Sequence, residues 1–235
     1  IHRFYRTNGL SNDGYILLND FTKYFDNKLH EPVYQDQQRN FTDERIINLA
    51  RQLIRPFCAD REDGQEISMG IGSQISQILA VRYPNDIDHF IEQELGISEH
   101  GRYMDDSYLI HHSKEYLKYC LEQLRERFAE KGIIVNEKKT QIVKLSSWSK
   151  FLKFRYKLTD TGRLVQKPGR ESIVRERRKL HKLKVKYDNG EICFPDIRSQ
   201  YASWRGYIEQ ADSYRTVCNM DNTFNRLYVF AGDWR

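Results

Sequence analysis

Two adjacent carboxylates are the first candidates for chemistry. Asp105 and Asp106 lie between two short apolar arms, where an isolated pair of like charges is unfavourable unless a cation lies nearby. Asp20 ends another apolar run, Tyr15–Asn19. Carboxylates without clustered His or Cys favour Mg²⁺, and two such ions can activate a hydroxyl and stabilise the leaving oxygen in phosphoryl transfer. The pattern predicts a Mg²⁺ site, although a polar hairpin turn would also explain Asp105-Asp106 alone.

The elements around these carboxylates predict an α+β domain. Tyr15–Asn19 is typical of a buried strand, and residues 102–110 are typical of a hairpin with both Asp105 and Asp106 at its turn. Ser113 is expected to cap a helix that Gly132 ends. Strands and helices in this order favour a ferredoxin-like antiparallel sheet with helices on one face.

The segment between the first strand and the hairpin is predicted to be helical. Pro32 is expected to close a turn or helix, and Pro84 to bend one helix that runs from about 73 to 95. A helix over 42–57 would have one apolar face, formed by Ile46, Ile47, Leu49, Ala50, Leu53 and Ile54.

Composition excludes several classes of protein. The 235 residues are 13% aromatic, too aromatic for a disordered chain, and no apolar run approaches the roughly 18–20 residues of a membrane-spanning helix, so no membrane partner is expected. Four cysteines without CxxC spacing argue against a structural zinc site and fit a reducing cytosol, so a cytoplasmic location is expected.

Positive charge is concentrated in the last third of the chain. Residues 1–160 carry 23 basic and 24 acidic side chains, whereas residues 161–235 carry 15 basic and 9 acidic ones. Within that last third, five basic residues are spaced to form one helical stripe, which either is a solvated face or contacts a polyanion. The stripe consists of Arg175, Arg178, Lys179, Lys182 and Lys186.

Five segments resemble reverse transcriptase motifs in their order along the chain. Tyr103-Met104-Asp105-Asp106 resembles the hallmark tetrapeptide of that family. The other four are Asp20–Asp26 for the first palm motif, Ile71–Gln77 for the second, Asn136–Thr140 for the fourth and Phe151–Phe154 for the primer grip.

This resemblance implies a right-hand polymerase with a palm and a mostly helical thumb. Residues 1–14 would be a remnant of the fingers, 15–150 the palm, 151–166 the primer-grip hairpin and 167–235 the thumb. The fingers would be largely absent from the chain, so the 235 residues alone are expected to extend a primer poorly.

The resemblance also assigns roles at the metal site. Asp20 and Asp105 would bridge two Mg²⁺ ions, with Mn²⁺ as an alternative, and Asp106 would be a supporting carboxylate. Phe21 would contribute its backbone carbonyl to a metal.

Further roles concern the nucleotide and the nucleic acid. Phe25 would exclude a 2′-hydroxyl, Gly72 would allow close approach to the new base pair, and Lys139 would approach the triphosphate unless it is a solvated turn residue. Ile71 and Gln77 would flank the nucleotide, Phe151 and Leu152 would support the primer end, and the basic stripe would grip the duplex.

The second motif departs from the commonest pattern. An aliphatic Ile71 before Gly72, with Ser76-Gln77 after it, resembles the reverse transcriptases of diversity-generating retroelements and some bacterial relatives. The leading interpretation is therefore an RNA-directed DNA polymerase of prokaryotic or phage type, error-prone if it belongs to that subgroup. It would use an RNA template, a DNA or RNA primer and deoxynucleoside triphosphates, with an accessory protein or structured RNA as a further partner. A retron-like or phage-defence enzyme, and an inactive nucleic-acid-binding module, stay open as alternatives.

Overall fold

The chain forms two compact units. The computed structural model describes residues 1–57, 59–60, 66–68 and 73–228. The units are Ile1–Ser146 and Ser147–Arg235, and each has its own cluster of buried apolar side chains. Within the described residues, no helix is long and apolar enough to cross a bilayer.

The first unit mixes helices and strands. Its helices are α1 (His2–Thr7), α2 (His30–Asn40), α3 (Glu44–Ile54), α4 (Gln74–Arg82), α5 (Asn85–Gln93) and α6 (Lys114–Glu130), with a 3₁₀ turn at Arg55–Phe57. Its strands are β1 (Tyr15–Asn19), β2 (Phe21–Thr22), β3 (Ala59–Asp60), β4 (Glu66–Ile67), β5 (His100–Tyr103), β6 (Asp106–His111), β7 (Ile134–Val135) and β8 (Gln141–Lys144).

The central sheet of this unit is antiparallel and has the order β5-β6-β1-β8. In β1, Leu17 is opposite Leu109 of β6, and both side chains are almost fully buried. Because side chains alternate along a strand, Ile16 and Leu18 face the other side, and they are buried as well. The continuous apolar run of β1 therefore reflects a central strand covered on both faces, as its sequence predicts.

Helix α6 packs on the central sheet and confirms the capping prediction. Ser113 Oγ accepts a hydrogen bond of 3.1 Å from the backbone N–H of Tyr116, which satisfies a free donor of the first turn. Leu117 and Leu124 point into the core and have no exposed surface. The helix ends at Glu130, and Gly132 follows with φ +70.

Three sequence expectations were wrong in detail. Pro32 lies in the first turn of α2, where its missing N–H costs nothing, rather than closing an element. The segment around Pro84 forms two helices, α4 and α5, instead of one bent helix. The turn between β5 and β6 consists of Met104 and Asp105, and Asp106 is already the first residue of β6.

Helix α3 buries only half of its predicted apolar face. Ile47, Ala50 and Ile54 are buried, as expected for a core-facing stripe. Ile46, Leu49 and Leu53 are instead 46%, 56% and 43% exposed. The six apolar residues do lie on α3, but the core of this unit covers only three of them.

The second unit combines a small sheet with three helices. Its elements are β9 (Ser149–Phe151), β10 (Phe154–Leu158), β11 (Leu164–Pro168), α7 (Arg170–Asp188), α8 (Phe194–Ile208) and α9 (Tyr214–Tyr228). The strands are antiparallel in the order β11-β10-β9. Leu180 of α7, Ile197 of α8 and Met220 of α9 have no exposed surface and form the centre of the helical core. Sheets and helices in both units confirm the α+β class.

Candidate active site

The central sheet brings two of the predicted carboxylates to the same end of two paired strands. Strands β1 and β6 are antiparallel, and Asn19 is opposite Ser107. Continuing this register by one residue sets Asp20 opposite Asp106. Asp105 belongs to the adjoining turn, whose first residue, Met104, has a positive φ of 55. Asp20 and Asp106, which are 86 positions apart in the chain, thus meet at one strand end because of strand pairing.

The carboxylates at this edge influence one another electrostatically. Burial raises the pKa of Asp106 above its ordinary value, and the negative charges of Asp105 and Asp20 raise it further. The ammonium of Lys139 acts in the opposite direction. A raised pKa indicates that charge on Asp106 is unfavourable without an additional cation.

A turn between β7 and β8 holds Asp20 in place. Asn136 Nδ2 donates a hydrogen bond of 3.0 Å to Oδ1 of Asp20, and the backbone N–H of Asn136 donates one of 2.8 Å to the carbonyl of Asp20. Lys139 Nζ lies 3.1 Å from the carboxylate and forms an ion pair with it. Thr140 Oγ1 accepts from the backbone N–H of Asp20 at 3.5 Å. The turn that contains Asn136 and Lys139 therefore orients the carboxylate of Asp20.

Sequence reasoning missed the part played by Asn136. It was quoted as part of a motif, but no role was predicted for it. An amide side chain at a strand end, three residues before a lysine in the same turn, was the signal in the sequence.

The donor chemistry of the site fits a hard divalent cation. Among the described residues, no three or more His, Cys, Asp or Glu side chains are already arranged to hold a metal ion. The three carboxylates nevertheless offer oxygen donors, and the charges of Asp105 and Asp20 add to the effect of burial in raising the pKa of Asp106, while Lys139 opposes it. Oxygen donors with excess negative charge suit Mg²⁺. Asp20, Asp105 and Asp106 are the residues that would hold it.

The backbone of Phe21 is oriented in a way that leaves its carbonyl outside the β2–β7 ladder. Phe21 is opposite Val135, and the neighbouring hydrogen bond runs from Asn136 N to the carbonyl of Asp20. In an antiparallel pair this register makes Phe21 and Val135 a non-hydrogen-bonded pair, whose polar groups point away from each other. The side chain of Phe21 is buried in the core.

The predicted nucleotide contacts are only partly described. Phe25 is half-buried and packs edge-on against Tyr24, with 5.6 Å between the ring centroids. Gln77 lies on α4 and is exposed. Ile71 and Gly72 lie outside the described residues.

A buried lysine near these aromatic residues was not anticipated. Lys28 has no exposed surface, and its Nζ lies 3.7 Å from the centroid of the Tyr24 ring. Nζ donates a hydrogen bond of 3.1 Å to the carbonyl of Ala80 in α4. The pKa of Lys28 is lowered to about 6, mainly by burial and also by the guanidinium of Arg102, while the charge of Asp105 opposes the shift. Nothing in the local sequence distinguishes Lys28 from an exposed lysine.

The primer-grip residues lie in the second unit, at the turn between β9 and β10. Phe151 ends β9 and is opposite Phe154, the first residue of β10. Leu152 and Lys153 form the turn, with positive φ values of 47 and 70. The side chains of Phe151 and Leu152 are both half-buried.

The predicted basic stripe lies on the solvent side of α7. Arg175, Arg178, Lys182 and Lys186 are exposed, and Lys179 is half-buried. The opposite, buried side of the helix carries apolar residues such as Leu180. The stripe is therefore accessible within its own unit, as nucleic-acid binding requires.

Comparison with known proteins identifies the family of this chain. The family model described as reverse transcriptase (RNA-dependent DNA polymerase) matches residues 6–187, more than half of the chain. The chain belongs to the reverse transcriptase family. No curated protein matches its sequence. The matched range contains all three carboxylates of the candidate site and the turn that orients Asp20.

Solved structures show that this reverse transcriptase shares its fold with telomerases. Apo telomerase from Candida tropicalis, truncated from its C-terminal domain, is 16% identical with a TM-score of 0.54, over 69% of this chain and 38% of that one. Telomerase from Candida albicans, in complex with the TWJ fragment of telomeric RNA, is 12% identical with a TM-score of 0.56, over 94% of this chain and 42% of that one. This reverse transcriptase chain thus spans well under half the length of either telomerase chain. The likeness confirms the palm-like polymerase fold.

Proposed function

We propose that the protein is an RNA-directed DNA polymerase that adds deoxynucleotides to a primer with the help of Mg²⁺. The observation that carries this proposal is that Asp20 and Asp106 lie at the same end of two paired strands, with Asp105 in the adjoining turn. Membership of the reverse transcriptase family supports the same activity.

Each residue of the site has its own role in the proposed reaction. Asp20, Asp105 and Asp106 would hold Mg²⁺, which would supply positive charge near the attacking hydroxyl and the leaving oxygen. Asn136 keeps the carboxylate of Asp20 in one orientation. Lys139 adds positive charge beside the carboxylates, where a triphosphate would also be attracted. Phe25 borders the nucleotide and excludes a 2′-hydroxyl.

We also propose a subclass, an error-prone enzyme of the diversity-generating type, encoded by a prokaryote or phage and acting in the cytoplasm. The support is Ile71, because an aliphatic side chain beside the nucleotide removes a hydrogen-bonding group that would help reject mispairs. RNA template, DNA or RNA primer and an accessory protein or structured RNA are the partners that this proposal includes.

Primer extension tests the activity, with the 235 residues joined to any fingers segment of the natural protein, because the 235 residues alone are expected to extend a primer poorly. With Mg²⁺, an RNA template and all four deoxynucleotides, we expect product from the wild type and a loss of about 100-fold or more with Asp105→Asn, or ~2.7 kcal/mol of barrier. Asp26→Asn is the matched control, because Asp26 is exposed and close in sequence to Asp20. Extension that survives Asp105→Asn, or no product on any template, contradicts the proposal.

The same assay separates the subclasses. Frequent errors opposite template adenine are expected for the diversity-generating type. Faithful copying argues against that subclass, and product made without a template indicates the phage-defence type instead.

A further inference from the structure

Helices α7 and α9 border an open groove that no sequence motif indicated. Its accessible volume is about 650 Å³, within the range of ligand-binding clefts. The polar residues that line it are Arg177, His181, Asn219, Asn222, Thr223 and Arg226, and we refer to this feature as the α7–α9 groove.

The groove adjoins the basic stripe but is centred on another part of α7. Each residue advances about 100° around an α-helix, so Arg177 and His181 lie roughly half a turn away from Arg175. His181 nevertheless lies only three residues after Arg178, and side chains three residues apart are neighbours on a helix, so the groove and the stripe meet on the exposed side of α7. Leu180, which is fully buried, lies on the core-facing side of α7.

The charge of the α7–α9 groove is positive. Arg177 and Arg226 contribute guanidinium groups, and none of the described residues that line the groove is acidic. Arg226 Nε donates to the backbone carbonyl of Asn222, at 3.4 Å, and forms no ion pair with a carboxylate among the described residues. Arg177 is exposed. Exposed guanidinium groups without a nearby carboxylate are suited to phosphate.

The remaining side chains of the groove are hydrogen-bonding groups without charge. Asn219 and Asn222 carry amides, which can pair with the edges of unstacked bases. Thr223 Oγ1 donates to the carbonyl of Asn219, at 2.9 Å, and its oxygen can still accept. A cleft of this volume has room for one or two nucleotides but not for a duplex. A duplex is better suited to the exposed basic stripe.

We propose that the α7–α9 groove binds a single-stranded RNA segment, with Arg177 and Arg226 on phosphates and the two asparagines on bases. This assignment rests on the proposed polymerase function, because an RNA template supplies the single strand. The groove would hold RNA that is not paired with the primer, while the basic stripe contacts the paired region.

Fluorescence anisotropy on the full chain tests this proposal with two ligands, an eight-nucleotide single-stranded RNA and a blunt RNA–DNA hybrid. The variant Arg177→Gln/Arg226→Gln is expected to bind the single strand at least tenfold more weakly. Its slope of log affinity against log salt should fall by about 1.4, or ~0.7 for each lost phosphate contact. Its affinity for the hybrid should stay within twofold of the wild type.

Two further variants make the outcome specific. Arg175→Gln/Arg178→Gln removes the same charge from the stripe, so it should weaken hybrid binding and spare the single strand. Asn219→Ala/Asn222→Ala should weaken single-strand binding without changing the salt slope. Circular dichroism of each variant checks that the helices remain folded.

Several results would overturn the proposal. Equal losses for both ligands in the groove variant, or unchanged single-strand affinity, would show that the groove is not a binding site. Equal affinity for DNA of the same sequence would overturn the assignment to RNA. Primer extension on a second hybrid, whose RNA template reaches one nucleotide beyond the DNA primer end, distinguishes a failed groove from a failed polymerase, since the groove variant should still add that nucleotide.

Discussion

The Asp20 carboxylate is surrounded by groups that fix both its position and its charge. Asn136 donates to one oxygen, and Lys139 balances part of the negative charge that Asp105 and Asp106 share. Lys139 is 66% exposed, so it can exchange the carboxylate for another anion without leaving a buried cation behind. This single ion pair links the predicted metal site to the predicted triphosphate contact.

Lys28 is the residue whose protonation should control stability. The free amine is favoured in the folded chain, because burial lowers the pKa of Lys28 from the ordinary 10.5 to about 6. The unfolded chain therefore binds one more proton between about pH 6 and 10.5, and folding becomes more favourable as the pH rises through that window. The limiting slope is about 1.4 kcal/mol per pH unit.

Urea unfolding of the wild type and Lys28→Met at pH 6.5, 7.5 and 8.5 measures this effect. The free energy of unfolding of the wild type should rise with pH relative to that of Lys28→Met, which keeps the volume but cannot titrate. Arg102 and Asp105 influence Lys28 but are shared by both proteins, so they cancel in the difference. Parallel pH profiles would contradict the assignment of a neutral buried amine.

For single residues, the sequence indicated which side chains could bind a metal ion better than it indicated the contacts around each side chain. The three carboxylates were proposed as a metal site because they stand in segments that resemble reverse transcriptase motifs, and strand pairing brings Asp20 and Asp106 to the same strand end. Asn136 and Lys28 were not found, because their importance comes from contacts with residues 116 and 52 positions away, which no local pattern encodes.

Among the elements, the segment after α6 depends on a glycine. Gly132 has φ +70, and a Cβ there would lie 2.4 Å from the backbone carbonyl oxygen of Asn27. Gly132→Ala should lower the free energy of unfolding by roughly 2–4 kcal/mol, since the left-handed backbone conformation and the clash both add to the cost.

Gly96→Ala is the matched control for this substitution. Gly96 also has a positive φ, of 59, but a Cβ there meets nothing within 4 Å. Gly96→Ala should lower the free energy of unfolding by only about 1 kcal/mol, because only the strained backbone conformation contributes. Urea denaturation of both variants decides the question, and equal losses would show that the contact with Asn27 is unimportant.

Elements with a local signature were predicted well, and elements whose ends depend on packing were not. Helix α6 combines a capping serine, a regular apolar spacing and a terminal glycine, and it forms as predicted. Pro32 was misread because proline suits the first turn of a helix as well as its end. The exposed half of the α3 face shows that periodicity identifies an apolar surface without saying what covers it.

At the scale of the whole molecule, the two separate cores predict separate folding. Leu180, Ile197 and Met220 contact one another within the second unit, and its helices and sheet need no strand from the first. We expect the fragment Ser147–Arg235 to fold by itself, with a helical circular dichroism spectrum and a cooperative thermal transition.

Leu180→Ala in that fragment provides the check on the core. It should lower the stability of the fragment by roughly 2–5 kcal/mol, as is usual for a large cavity in a packed core. A fragment without a cooperative transition would show that the second unit depends on the first for its structure.

The turn that orients Asp20 also determines when the site can form during synthesis. Asp20 leaves the ribosome 116 residues before Asn136, the group that fixes its carboxylate. At a translation rate of about 5–20 residues per second, this interval lasts roughly 6–23 s. The palm sheet lacks its β8 edge strand throughout that time, so the nascent chain cannot assemble a working metal site until most of the first unit has been made.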